Sequence, residues 1–270
     1  GIIFKRIDLK DNNEIEANFK NVSSAKLCTT LKNDYGASVS TVEHLMAAFY
    51  ITGIDNVIVE IDNSEIPIMD GSSKDFVELI NEAGTKELYA KRKFLKITKN
   101  ISFNEEEKKI SIEPNSENLE VNFQLSYNNQ IIGNQKNSIS FNGDLKEVYS
   151  SRTFCLYEDV EKIKQFGLAK GGSLDNAVVV KGEKVLNDGG LRNEKEFVNH
   201  KILDLVGDFF LSGYRILGRV KCVQGGHYLS NKFLREIFKD KSNFETVKHE
   251  NPQLIKKDFK TSIKKLVVNA

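Results

Sequence analysis

Long apolar runs, paired cysteines and a dominant charge sign are all missing from this 270-residue chain. No apolar run approaches the roughly 18–20 residues needed to span a bilayer. The three cysteines, Cys28, Cys155 and Cys222, lie far apart with no CxxC. That argues against a disulfide framework or a thiolate metal site and leaves buried structural thiols as the expectation. The formal net charge is +1, so no strong field of one sign draws the chain to nucleic acid. Phosphate-cradling glycine patterns are absent too: Gly171-Gly172-Ser173 has neither GxGxxG nor P-loop spacing. No signal-peptide pattern opens the chain, which makes the cytoplasm the expected compartment. Histidine is scarce, with four in the chain, so the position of each carries information.

What is present is an ordinary globular mixture, 40% hydrophobic and 29% charged, long enough for one large or two modest domains with real cores. Alternation of apolar and polar residues predicts a strand over 1–9 and a second strand within 13–31, beside the polar loop NVSSAK. A helix is expected over 39–51, capped by Ser40 or Thr41 and stopped by Gly53. A strand at 56–61, a turn at Asp70-Gly71 and a helix at 75–83 complete a compact first unit. The charged stretch 87–93 marks a domain boundary, giving units over 1–88 and 89–270. Beyond it, FLKITKNISF, KKISIEPN and LEVNFQLSY read as strands of a largely antiparallel sheet. They precede a helix start at 144–150, a strand at 176–181, a long helix over 193–213, a strand at 215–223 and a last helix at 229–238. From Lys239 onward a polar, basic tail is expected, with a short strand-like LVV near its end. Runs of strands and helices in this order imply an α+β fold with two units of similar plan.

The long helix organises the chain. At roughly 100° per residue it sets His200, Asp204 and Asp208 on one stripe, at i, i+4 and i+8, within a surface otherwise apolar enough to bury. Charges are rarely buried without partners. Gly207, costly in a helix, leaves room for a close approach. His200 and Asp204 can offer a nitrogen and an oxygen to one metal ion, and His44 is the best candidate for a third ligand, which would leave an open fourth position. Glu43, beside it, could then take a proton from water. Plainer readings stand beside these: a surface ion pair for His200 and Asp204, a solvated first turn for Glu43-His44, a loop position for His227, and a lysine partner for Asp208. His249 reads as an ordinary tail residue.

TVEHLMAAFYITGIDNVIVEIDNSEIPIMDGSS, SRTFCLYEDVEKIKQFGLAKGGSLDNAVVV, LNDGGLRNEKEFVNHKILDLVGDFFLSG and GGHYLSNKFL occur in this order. Together they closely resemble the UDP-3-O-acyl-N-acetylglucosamine deacetylases of bacterial lipid A biosynthesis. The resemblance covers roughly residues 1–240. It implies a zinc (Zn2+) amidohydrolase of two similar two-layer sheet-plus-helix domains, with the active site at their interface. By that resemblance His44, His200 and Asp204 match the metal ligands and Glu43 the general base. His227, charged and aimed by Asp208, matches an acid or electrostatic stabiliser, and Thr153 matches a hydrogen-bond donor to the oxyanion. Phe154, Lys201, Asp159, Gly172 and Ser173 match substrate contacts, and an insert over about 154–180 corresponds to an acyl-chain tunnel. The implied partner is a UDP-linked acylated amino sugar, with transient contact to a membrane surface, no nucleic acid, and a monomer as the default. Two departures are visible. The family's first strand pair and its Gly-Leu-His loop do not precede Gly1, and Gln224 stands where a basic residue is common, putting one diphosphate contact in question. A binding protein of the same fold without turnover is the nearest alternative. An RNA-binding α+β domain is the more distant one, disfavoured by the acidic stripe and small net charge.

Overall fold

The computed structural model describes residues 1–165 and 171–249. The first part contains β1 (Ile2–Arg6), β2 (Glu14–Glu16), β3 (Val22–Ser24), β4 (Thr30–Lys32), β5 (Ser38–Val39), α1 (Glu43–Thr52), β6 (Val57–Ile61) and α2 (Lys74–Ala83). β1 turns Ile2 and Phe4 into the core and keeps its alternate residues half-exposed, the period-two pattern of a strand with one buried face. It pairs antiparallel with β2 and parallel with β6, and β3, β4 and β5 form a small meander beside it. NVSSAK, expected as a loop, contributes Val22–Ser24 to that meander.

The remainder contains β7 (Arg92–Ile97), β8 (Ile101–Glu105), β9 (Lys108–Pro114), β10 (Leu119–Ser126), β11 (Asn134–Ser140), α3 (Lys146–Tyr149), β12 (Phe154–Leu156), α4 (Tyr157–Gln165), β13 (Val178–Lys181), β14 (Lys184–Val185), α5 (Glu196–Phe210), β15 (Arg215–Val223), α6 (His227–Lys239) and β16 (Phe244–His249). β15 is the spine of a seven-stranded sheet. It runs parallel to β10 along one side, and on the other side β7 and β9 share its length. Val220 and Cys222 face inward, while Arg219 and Lys221 face out and pair with Glu113 and Glu120 on neighbouring strands. β11 and β16 border this sheet. The segment after Lys239, expected as a polar, basic tail, instead passes through a 3-10 turn at Lys241–Asn243 into the strand β16, and the LVV segment lies outside the described residues, as does 166–170 of the expected insert. The architecture is α+β, with no helix among the described residues long and apolar enough to cross a membrane.

α5 is buried on nearly every side and packs against α1. Gly207 makes their approach possible: a Cβ there would sit 2.0 Å from the Glu43 carbonyl oxygen, far inside contact distance. The close approach anticipated from the glycine is thus made by the backbone of α1. Of the three thiols, Cys222 is buried while Cys28 and Cys155 are half-buried. Neither of those two reaches the core, because they sit on a loop and on the short strand β12.

Candidate metal centre and its acid–base neighbours

α1 begins later than the sequence suggests. Residues 38–39 are strand, Thr41 adopts a left-handed φ of 59°, and the cap position falls to Val42 with no side-chain cap bond. Ser40 and Thr41 are engaged elsewhere, their hydroxyls donating to the Ser64 carbonyl and the Glu65 carboxylate. Glu43 and His44 therefore open the helix. Instead of lying in solvent, they are turned against α5 and buried, at 3% and 4% exposure. The Ser73 hydroxyl donates to the His44 carbonyl at 2.7 Å, tying this first turn to the loop before α2. Gly53, in left-handed conformation, closes α1 as expected.

On α5, His200, Asp204 and Asp208 share one face as the spacing required, all three buried. His200 Nδ1 lies 3.0 Å from the Ser151 carbonyl. A carbonyl can only accept, so Nδ1 carries the proton and Nε2 presents a lone pair. Burial, only partly opposed by Asp204, pushes the His200 pKa down to about 3, which keeps the ring neutral. Asp204 Oδ1 lies 3.3 Å from His200 Nε2 and 3.4 Å from His44 Nε2. Burial works against the Asp204 charge, but the electrostatics of its neighbours, the Lys201 ammonium among them, outweigh burial and hold the carboxyl well below its usual range. Lys201 Nζ donates to the other oxygen, Oδ2, at 3.0 Å.

Two buried polar atoms here have no hydrogen-bond partner: His44 Nδ1 and Asp204 Oδ1. An anionic oxygen buried beside an imidazole lone pair is unfavourable unless a cation lies between them. One ligand atom from each of His44, His200 and Asp204 falls within 4.8 Å of the others. A tetrahedral ion with bonds of roughly 2.1 Å separates its ligands by about 3.4 Å, and the spacings of the two imidazole nitrogens from Asp204 agree with that. The residues fit a metal ion.

Beside this group stands a second one. His227, the first residue of α6, points Nδ1 at Asp208 Oδ2, 2.9 Å away, and Nε2 at Glu43 Oε1, 3.6 Å away. Burial disfavours the charged ring, but the Asp208, Glu43 and Asp204 carboxylates outweigh it and raise the His227 pKa to about 10. Burial raises the Glu43 pKa, opposed in part by His227 and His44. Asp208 is therefore the partner of a histidine rather than of a lysine. Thr29, which the sequence reading passed over, touches both carboxylates. Its N–H donates to Glu43 Oε2 at 3.0 Å and its hydroxyl to Asp208 Oδ1 at 2.6 Å.

The residues expected at the substrate are spread more widely. Phe154 packs edge-on against Phe197 and, at 6.4 Å between centroids, against His200. Lys201 Nζ stands 5.5 Å from the centre of its ring. Thr153 is anchored through its backbone, its N–H donating to the Gly71 carbonyl and its carbonyl accepting from Val178. Arg152, paired with buried Glu196 at 2.8 Å, fastens this segment to the start of α5. Asp159 lies on α4, while Gly172 and Ser173 lie in an exposed turn whose bonds run among Gly171, Ser173, Asp175 and Asn176. A cleft of about 330 Å³ beside Lys201 is lined by Phe123, Ser126, Tyr127 and Gln224. Gln224 accepts from the Ser126 N–H and donates to the Ser126 carbonyl, so both ends of its amide are engaged by one residue of β10.

Comparison with known proteins gives a consistent result. The family model described as UDP-3-O-acyl N-acetylglycosamine deacetylase matches residues 1–239. A protein of Glaesserella parasuis serovar 5 is 41% identical over 261 residues, spanning 94% of this chain and 85% of its own. One from Francisella tularensis subsp. tularensis is 42% identical over 253 residues, spanning 92% and 88%. One from Actinobacillus pleuropneumoniae serotype 3 is 39% identical over 257 residues, spanning 94% and 84%. Each of the three bears the name UDP-3-O-acyl-N-acetylglucosamine deacetylase.

Proposed function

Because the chain belongs to the UDP-3-O-acyl N-acetylglycosamine deacetylase family, we propose that it hydrolyses the N-acetyl group of UDP-3-O-acyl-N-acetylglucosamine in a zinc-dependent reaction of lipid A biosynthesis. The observation that carries the metal half of this reading is the partnerless Asp204 Oδ1 held between two imidazole Nε2 atoms. Two imidazoles and one carboxylate are a donor set typical of catalytic zinc, with a position left for water or substrate.

His44, His200 and Asp204 would hold the ion, which when bound supplies Lewis acidity that lowers the pKa of water from 15.7 to about 7. Glu43 then takes a proton from the attacking water through Oε1, the oxygen that Thr29 leaves free. The oxygen adds to the acetamide carbonyl carbon, and Thr153 steadies the charge that develops on the carbonyl oxygen. Oriented donors of this kind contribute roughly 3 kcal/mol each. When the carbon–nitrogen bond breaks, the amine leaves with a proton from His227, or with the one Glu43 had taken. Acetate and the free amino sugar are the products. His227 can serve as donor because the surrounding carboxylates keep it charged at neutral pH. Lys201 has one ammonium proton on Asp204 and two left for a diphosphate. Phe154 offers a face to the sugar, and Asp159, Gly172 and Ser173 belong to the wall along which the acyl chain lies. The units 1–88 and 89–270, with the site at their meeting, a cytoplasmic location and a monomeric state are parts of the same proposal.

The direct test is acetate release from UDP-3-O-acyl-N-acetylglucosamine together with metal content, for the wild-type chain and for His200→Ala. We expect one zinc ion per wild-type chain, stoichiometric acetate and amine, and loss of both metal and turnover in the variant. A wild-type chain without zinc, or a variant with unimpaired turnover, would overturn the reading.

A further inference from the structure

We propose that Thr29 is the positioning residue that holds the base and the acid of this site at their working separation. The proposal rests on the reading of Glu43 and His227 given above. Thr29 directly precedes β4 and is 2% exposed. Its carbonyl accepts from the Val42 N–H at the entrance to α1, its own N–H donates to Glu43 Oε2, and its hydroxyl donates to Asp208 Oδ1. Asp208 Oδ2 faces His227 Nδ1, and His227 Nε2 faces Glu43 Oε1. Thr29, Glu43, His227 and Asp208 thus form a closed ring.

The links of that ring are unequal. Three lie between 2.6 and 3.0 Å, and the fourth, from Glu43 Oε1 to His227 Nε2, is 3.6 Å. A carboxylate and an imidazolium free to turn would close to about 2.8 Å and satisfy one another. The base would then be occupied by the acid, with no place for water or a leaving amine between them. Thr29 opposes that collapse from both sides. Its N–H fixes the far oxygen of Glu43, and its hydroxyl fixes the far oxygen of Asp208, which in turn aims His227. A serine could make both bonds; a valine keeps the shape and the backbone bond but loses the hydroxyl.

The test compares zinc-loaded wild type, Thr29→Val and Thr29→Ser. In T29V we expect unchanged zinc stoichiometry, KM within about twofold and kcat lowered roughly tenfold to a hundredfold, part of what positioned acid–base groups contribute. In T29S, kcat returns to within about threefold of wild type. A second readout does not depend on turnover. The low-field ring N–H proton resonance of His227 shifts or broadens into solvent exchange in T29V and recovers in T29S. If T29V does not fold, Thr29→Ala, which admits a water beside Asp208, takes its place with the same expectations. An unchanged His227 resonance in the variant overturns the proposal, whether kcat is preserved or KM and kcat fall together. Should the wild type release no acetate, the deacetylase reading fails, and the His227 resonance alone decides the role of Thr29.

Discussion

The two sides of the candidate site are built differently. On the side of the chemistry, Glu43, His44, His200, Asp204, Asp208 and His227 are all buried, and they sit on helix starts and helix faces packed against each other. On the side expected to meet the substrate, Phe154 and Asp159 are half-buried, and Gly172 and Ser173 are exposed on a turn. Groups that must act on a proton or a metal ion need fixed distances and a low local dielectric, so rigid, dry elements hold them. Groups that contact a large ligand gain their burial when the ligand arrives, and loops present them. Damage to the first side should therefore destroy turnover, whereas damage to the second should change how substrate is held.

The largest effect is expected at the contact on which the buried side depends. Gly207→Ala sets a methyl group 2.0 Å from the Glu43 carbonyl, so α1 must move away from α5. Overpacking of this kind costs about 3 kcal/mol or more, and the shift separates His44 from His200 and Asp204. Denaturant unfolding should report the loss in stability, and zinc content should fall with it. Retention of both zinc and stability would mean that the helices are not held as described.

A smaller effect is expected at Asp208. With burial opposed by Asp208, Glu43 and Asp204, the folded-state pKa of His227 stands at about 10, above the roughly 6.5 of a free imidazole. Its charge then contributes stability that is fully present below about 6.5 and lost as pH rises toward about 10. In Asp208→Asn the folded-state pKa falls. The basic limb of the turnover profile should move to lower pH, and the decline in stability between those limits should flatten. kcat at neutral pH should drop by roughly a hundredfold, as for loss of one acid–base partner. An unmoved basic limb would show that His227 does not supply the proton.

The smallest effect belongs to the exposed side. Ser173→Ala should leave kcat and zinc content unchanged and alter KM by no more than about threefold. A large fall in kcat would erase the distinction between the two sides.

Much of the buried side was legible in the sequence, for a physical reason. A helix repeats every 3.6 residues, so His200, Asp204 and Asp208 had to share a face, and a glycine between two aspartates in an apolar helix had to admit a neighbour. Thr29 was not legible. Its bonds run to residues 14 and 179 positions away, and a threonine in a polar loop carries no periodic signal. The helix cap was misread because Ser40 and Thr41 are good cap residues by type, while their hydroxyls find partners at Ser64 and Glu65. β11 was missed because NQKNSIS buries none of its side chains fully, and β16 because FETVKH is largely polar. The pairing of each with an adjacent strand decides its structure.

The central claim is that His44, His200 and Asp204 hold a metal ion on which turnover depends. The most direct measurement strips the purified chain with a chelator, restores zinc in steps, and follows acetate release from UDP-3-O-acyl-N-acetylglucosamine. The account predicts that release vanishes on stripping, returns in proportion to zinc, and is complete at one equivalent per chain. Undiminished release from the stripped chain would contradict it.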